Sequence, residues 1–311
     1  MESIKIFCPA TIANLSCGFD VLGVCLDTIG DEMIVRKVKE KGIRINKIEG
    51  ADLPFEAEKN VAGVAAMAML AVLDIEYGFE ISIHKKISAG SGIGSSAASA
   101  SGAVFAINQL LGNPFSLQEL VVFAMEGERL ASGSAHADNV APALFGGFTL
   151  IRSYEPLDII KINAPDALFA SVIHPQIEVK TIDARSILKQ KIELKKAINQ
   201  CGNIAGLISG LYTQDYALIG RSLHDEIVEP IRSILIPKYD EMKKAALDNG
   251  ALGCGISGSG PSVFVLSKSE KEARNAVESM GAVLDSIELG YQIHVSKINA
   301  EGIKIIETNI I

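Results

Sequence analysis

Gly90-Ser91-Gly92-Ile93-Gly94-Ser95-Ser96-Ala97-Ala98-Ser99 is the stretch that decides the fold. Glycine recurs at every second position, two serines follow, and very small residues continue into a segment of helical composition that reaches Leu111. Alternating glycines permit a tight loop whose backbone N–H groups approach a ligand closely. A loop that empties into a helix N-terminus also meets about half a positive charge and unpaired N–H donors, which suit a phosphate. The loop contains no Lys or Arg, so the main chain must supply most of the grip. The stretch therefore points to a nucleotide or another phosphate. A structural turn before a buried helix is the alternative.

The common phosphate motifs do not describe it. A Walker A loop ends in Gly-Lys-Ser/Thr, whereas Ser95 follows Gly94 here. The dinucleotide fingerprint needs a third glycine where Ser95 stands. A formal G-x-G-x-x-G occurs at Gly253, Gly255 and Gly258, but it follows a helical stretch (residues 239–247) and precedes an apolar strand (residues 262–266). A Rossmann unit runs strand then helix, so that match is accidental.

The 311 residues are 48% hydrophobic and 21% charged, enough for one large domain or two ordinary ones with a substantial core. No long uncharged apolar run suggests a membrane span, and Met1-Glu2-Ser3-Ile4-Lys5 does not open a signal peptide. Five cysteines without a C-x-x-C pair are read as reduced thiols of a cytoplasmic protein. A net charge of −8 disfavours a nucleic-acid surface.

The coarse pattern places strands at residues 4–8, 21–26, 33–38, 79–84, 148–152 and 157–162, with a helix at 60–73. Ser116-Leu117-Gln118-Glu119 is a capping box opening another helix. The pattern breaks at Asn163-Ala164-Pro165-Asp166, which sets a boundary between an N-terminal domain (1–164) and a C-terminal domain (165–311). The second half reads as strand 168–174, helices near 184–189, 192–212, 216–227 and 238–248, strand 263–266, helix 270–280 and strand 292–295. Short loops between such strands favour an α+β fold over a doubly wound parallel sheet.

Leu117, Leu120, Val121 and Ala124 form an apolar stripe at helical spacing, and continuing it brings Glu128 onto the same face. A carboxylate turned towards a core is costly unless paired or bound to a cation. The options are a buried ion pair, fraying that lets Glu128 reach water, or a Mg²⁺ ligand, with Ser95 or Ser96 offering a second oxygen. Three further segments isolate polar groups among small residues: 9–20, with Asn14 and Asp20; 136–147, with His136, Asp138 and Asn139; and 255–262, rich in Gly and Ser. Each alone reads as a turn as readily as a site.

Together these segments resemble the GHMP kinase family, across essentially the whole chain. Pro9 to Gly18 is similar to the family's N-terminal Pro-x₇-Gly motif. Gly90 to Ala97 is similar to its central Gly-Leu-Gly-Ser-Ser-Ala loop, with Ile93 for Leu and Ser88-Ala89 where Pro is common. Gly253 to Ser262 is similar to its C-terminal glycine-rich motif. Within the family, Pro9 to Asp20, His136 to Gly147, Glu229-Pro230-Ile231-Arg232 and Ile236-Pro237 are most like the homoserine branch.

The resemblance implies a two-domain GHMP kinase fold: an N-terminal domain like ribosomal protein S5 domain 2, and a ferredoxin-like C-terminal domain. It implies ATP and Mg²⁺ as cofactors, L-homoserine as the small-molecule substrate in threonine biosynthesis, and a homodimer as a family-level expectation. Asp20 is then expected to hold the ammonium, Arg185 and Arg232 the carboxylate, and Asn14 and Asn139 the orientation of the amino acid, with His136 in contact. Ser96 and Glu128 would hold Mg²⁺. Thr181 is expected near the reacting hydroxyl, and Asn60 and Lys86 beside the nucleotide. Where mevalonate-type relatives place an Asp base, this chain has Asn139, which takes no proton usefully; Asp138 is the alternative base. Other small alcohols, or a silent nucleotide-binding role, remain rival readings. The charged trio disfavours the first, and Ser96 with Glu128 disfavours the second.

Overall fold

The computed structural model describes residues 2–179 and 181–309. The first sheet is built around two long strands, β1 (Ser3–Ala13) and β2 (Leu22–Val38), paired antiparallel with Ile4 opposite Val35 and Ile6 opposite Met33. After β3 (Gly42–Glu49) comes α1 (Val61–Leu70), then β4 (Gly78–His84), which pairs parallel with β3 and antiparallel with β2. Three helices follow: α2 (Ser95–Leu110), α3 (Leu117–Ser132) and the short α4 (Val140–Phe145). The hairpin β5 (Phe148–Tyr154) and β6 (Leu157–Ile162) adds to β2.

α2 is the central helix of this half. Its alanines, Ser99, Ser101 and Gly102 are buried on nearly every side, against β1, β2, α1 and α3. Small residues are what allow such close approach: a Cβ on Gly102 would lie 2.4 Å from the Cys8 sulfur. α3 begins with the expected capping box, Ser116 and Glu119 satisfying each other's backbone N–H groups.

The second half runs β7 (Phe169–Pro175), α5 (Thr181–Ser186), α6 (Leu194–Thr213), α7 (Tyr216–Ser222), α8 (Glu229–Arg232), α9 (Tyr239–Asp248), β8 (Gly253–Ile256), β9 (Val263–Ser267), α10 (Glu270–Asp285) and β10 (Tyr291–Lys297). Its antiparallel sheet has the order β10-β7-β9-β8. Strand, helix, two strands, helix, strand in that spatial order is the ferredoxin-like arrangement. α9 and α10 cover one face around Met242, Ala276, Val277 and Met280. The final strand β11 (Lys304–Asn309) returns to the first sheet and pairs with β1. Phe79, Phe148 and Phe264 are fully buried, each contributing about 1.5–3 kcal/mol of transfer free energy.

Several elements differ from the sequence reading. β2 is one strand of 17 residues rather than two, because Gly30 lets the Phe7 ring lie against its backbone, where a Cβ would come within 2.4 Å. β3 and β11 escaped notice because both lie at sheet edges, with charged residues on their exposed faces. β8 holds Gly253 and Gly255 and leads through a turn into β9, not into a helix, as expected for an accidental G-x-G-x-x-G. The helix expected over 216–227 ends at Ser222, and the chain turns around Asp225 before α8. Among the described residues no helix is long and apolar enough to cross a membrane.

Candidate active site

A cleft of about 470 Å³ opens between the two halves, with the glycine loop on one wall. Gly90, Gly92 and Gly94 have φ of 73°, 79° and 72°, the left-handed region. Side chains are excluded here for a second reason. A Cβ on Gly92 would fall 2.6 Å from the Gly260 carbonyl oxygen, and one on Gly94 would fall 2.1 Å from the Thr11 hydroxyl. The loop is clamped from both halves of the chain: the Thr11 amide donates to the Ile93 carbonyl (3.1 Å), and the Ser257 hydroxyl donates to the Gly92 carbonyl (2.7 Å). Gly94 caps α2 without a side chain, and the first intrahelical bond is Ala98 N–H to the Gly94 carbonyl. The amides of residues 95–97 precede that bond, so they lie ready for an anion.

Facing the loop, Glu128 projects from α3. It is buried, and its Oε1 has no hydrogen-bond partner. Burial pushes its carboxyl up to about 7, partly offset by the Ser96 hydroxyl. A buried carboxylate oxygen left unpaired beside a serine hydroxyl, next to a phosphate cradle, is the donor set a Mg²⁺ ion takes. The residues present fit that ion.

The opposite end of the cleft is charged. Asn14, Leu15 and Ser16 have positive φ (72°, 42° and 59°), a left-handed run that turns β1 back on itself. Asn14 locks the turn: its Oδ1 accepts the Asp20 amide (3.0 Å) and its Nδ2 donates to the Gly258 carbonyl (2.7 Å). Asp20 receives a two-pronged contact from Arg185 (2.8 and 3.1 Å). Arg232 donates to the Ala184 carbonyl (2.9 Å) and to the Gly258 carbonyl (3.1 Å). Both guanidinium groups lie over the Phe19 ring, at 5.4 and 5.0 Å. Burial, then the neighbouring Arg185, pulls Arg232 down to about 10.

His136 lies 3.9 Å from Asp20, and burial lowers its pKa, so the ring is neutral at physiological pH. Asp138 is buried beside it; burial first, then Asp20 and Glu128, push its carboxyl up to about 7. Asn139 accepts the Thr11 hydroxyl at 2.7 Å, which fixes its amide orientation. Thr181 lines the cleft with its hydroxyl 3.2 Å from that of Ser259.

Residues 43–147 match the family model "GHMP kinases N terminal domain", and residues 207–286 match "GHMP kinases C terminal". A homoserine kinase of Chlorobium phaeobacteroides (strain BS1) is 45% identical over 98% of this chain and 100% of its own. This chain belongs to the GHMP kinase family. A solved structure of homoserine kinase from Cytophaga hutchinsonii ATCC 33406 superposes with a TM-score of 0.94 at 54% identity, covering 98% of each chain. The L. major mevalonate kinase solved in complex with R-mevalonate has a TM-score of 0.67 at 16% identity, covering 96% of this chain and 95% of its own, and shares the fold. As a GHMP kinase, the chain uses ATP and acts on a small molecule.

The kinase's cleft brings together Asn14, Asp20, Gly90, Gly92, Gly94, Ser95, Ser96, Glu128, His136, Asn139, Thr181, Arg185 and Arg232. Ser91, Ile93 and Ala97 are buried within the loop and helix and shape it from behind. Two expected nucleotide-pocket residues stand outside the cleft walls. The Lys86 ammonium is half exposed and pairs with Glu32 on the sheet. The Asn60 amide is engaged in capping α1: it accepts from Ala62 N–H (3.0 Å) and donates to the Pro54 carbonyl (2.8 Å). Among the described residues, the lysine that lines the cleft is Lys85, buried on Asp31. Strand parity signals it, since Phe79, Ile81, Ile83, Lys85 and Ile87 are all buried at alternate positions.

Proposed function

We propose that this kinase transfers the γ-phosphate of ATP to the side-chain hydroxyl of L-homoserine, giving O-phospho-L-homoserine, a precursor of threonine. The observation that carries this reading is the charge pattern around Phe19: one carboxylate, Asp20, against two guanidinium groups, Arg185 and Arg232. A zwitterionic amino acid complements that pattern, whereas mevalonate lacks the ammonium and a neutral sugar lacks both charges. Both relatives matched over nearly their whole length are homoserine kinases, in agreement with this reading.

In this reading Asp20 takes the ammonium, and the arginines take the carboxylate, which guanidinium forks match bidentately. Asn14 holds Asp20 in place, and His136 packs neutral against the amino acid. The amides of the 90–97 loop hold the triphosphate. Ser96 and Glu128 would hold Mg²⁺, which supplies charge neutralisation at the β- and γ-phosphates. Asn139, pinned by Thr11, presents its NH₂ to the acceptor hydroxyl, and Thr181 borders the same space. Such transfer rests mainly on alignment and charge stabilisation. Asn139 cannot take the hydroxyl proton, which passes to the phosphate or solvent; Asp138, which lines the same cleft, is the alternative base. The reading also carries a division near residue 164, a cytoplasmic location and a homodimer.

A coupled ADP-release assay with homoserine, mevalonate and galactose tests the substrate. Turnover is expected with homoserine alone. A preference for either of the others would refute the assignment.

A further inference from the structure

The glycine loop is long and has three positive-φ glycines, so its backbone is intrinsically free. Something must hold its two ends apart at a fixed distance if its amides are to converge on a phosphate. A buried ion pair beneath it does this. The side chains of Asp31, on β2, and Lys85, just after β4, are 1% and 2% exposed and pair directly. Asp31 Oδ1 accepts the Lys86 amide (2.7 Å) and the Ile87 amide (2.9 Å), which orders the chain entering the loop. The Lys85 ammonium donates to the Ser95 carbonyl (2.9 Å) and the Ser99 hydroxyl (3.1 Å), which orders the first turn of α2 leaving it. The Ser95 hydroxyl closes the ring by donating to the Ile87 carbonyl (3.1 Å). An ammonium has three donors, and Asp31, Ser95 and Ser99 occupy all three.

We propose that Asp31 and Lys85 are positioning residues: a strut that ties the loop's entry to its exit and so sets nucleotide affinity without either side chain binding the phosphates. This rests on the loop being the triphosphate site. The rival role, Lys85 as a direct phosphate ligand, makes the opposite prediction for Asp31. If Lys85 met the phosphate, freeing it from Asp31 would strengthen nucleotide binding. If it acts as a strut, freeing it weakens binding.

The test measures Mg²⁺-AMPPNP binding by calorimetry, without acceptor, in Asp31→Asn and in Asp31→Asn/Lys85→Met. Asn keeps an acceptor for the two loop amides. The double variant leaves no buried charge unpaired, so it is the one expected to fold even if the single variant does not. Both are expected to bind AMPPNP at least about tenfold more weakly, the scale of losing hydrogen bonds to a charged group. The homoserine KM should stay within about twofold, since Asp20, Arg185 and Arg232, the charged groups at the amino-acid end of the cleft, are unchanged. Hydrogen exchange should quicken over residues 88–98 and stay unchanged in α1. A folded double variant with wild-type AMPPNP affinity overturns the proposal, as does tighter binding by Asp31→Asn. Because binding is read without acceptor, a failed homoserine assignment would show separately, as normal AMPPNP binding with no phosphorylation of homoserine.

Discussion

Replacing Glu128 by Gln should make the nucleotide-free enzyme more stable at alkaline pH while crippling it as a kinase. Burial raises this carboxyl from the ordinary value of 4.5 to about 7. Between those values the folded protein keeps a proton that the unfolded chain has lost. The stabilisation from the protonated group is therefore complete below pH 4.5 and disappears as pH rises through 7. Above that, the ionised form costs the fold about 3 kcal/mol, at ~1.4 kcal/mol per pH unit. Glutamine never ionises. Its buried amide returns about 1–2 kcal/mol of that gain as unsatisfied polar surface. The net expectation is a variant about 1–2 kcal/mol more stable than wild type at pH 8 and no more stable at pH 5. Urea unfolding at both pH values, without Mg²⁺ or nucleotide, measures it. Asp138 titrates near the same pH and Glu128 is one cause of its raised value, so removing the Glu128 charge also eases the ionisation of Asp138, which adds to the gain at pH 8. A variant less stable than wild type at pH 8 would refute the reasoning, since the carboxylate would then be well paired as an ion. The same variant should need more Mg²⁺ and turn over more slowly; an unchanged Mg²⁺ titration would remove Glu128 from the metal site.

Gly94→Ala forces a left-handed alanine, costing about 1–2 kcal/mol, and drives a methyl into the Thr11 hydroxyl. ATP KM should rise sharply in steady-state kinetics, with a lower melting temperature. Asn139→Asp should not raise turnover at neutral pH; a strong increase would mean the reaction lacks a base that an Asp can supply. Arg232→Gln removes one half of the carboxylate clamp and should raise homoserine KM about tenfold or more, with ATP KM little changed.

Much of the fold was readable because its signals are local. The α3 capping box, the strand periods and the glycine loop each depend on residues within a few positions of one another. Glu128 was readable for the same reason, as a charge continuing an apolar stripe. The strut was not, because Asp31 and Lys85 are far apart in sequence and nothing near either announces the other. Lys85 and Lys86 show the same limit: they follow β4 directly and their side chains part, the Lys85 ammonium buried on Asp31 and the Lys86 ammonium half exposed on Glu32. The Asn60 amide caps α1, a role that Ser, Thr, Asp and Asn commonly take.

A crystal structure with AMPPNP, Mg²⁺ and L-homoserine puts the whole arrangement to one measurement. It should show the triphosphate against the amides of residues 92–97, the amino acid's ammonium on Asp20, its carboxylate on Arg185 and Arg232, and its hydroxyl aimed at the terminal phosphate. Phosphates bound away from that loop, or homoserine reversed so that its hydroxyl meets the arginines, would contradict it.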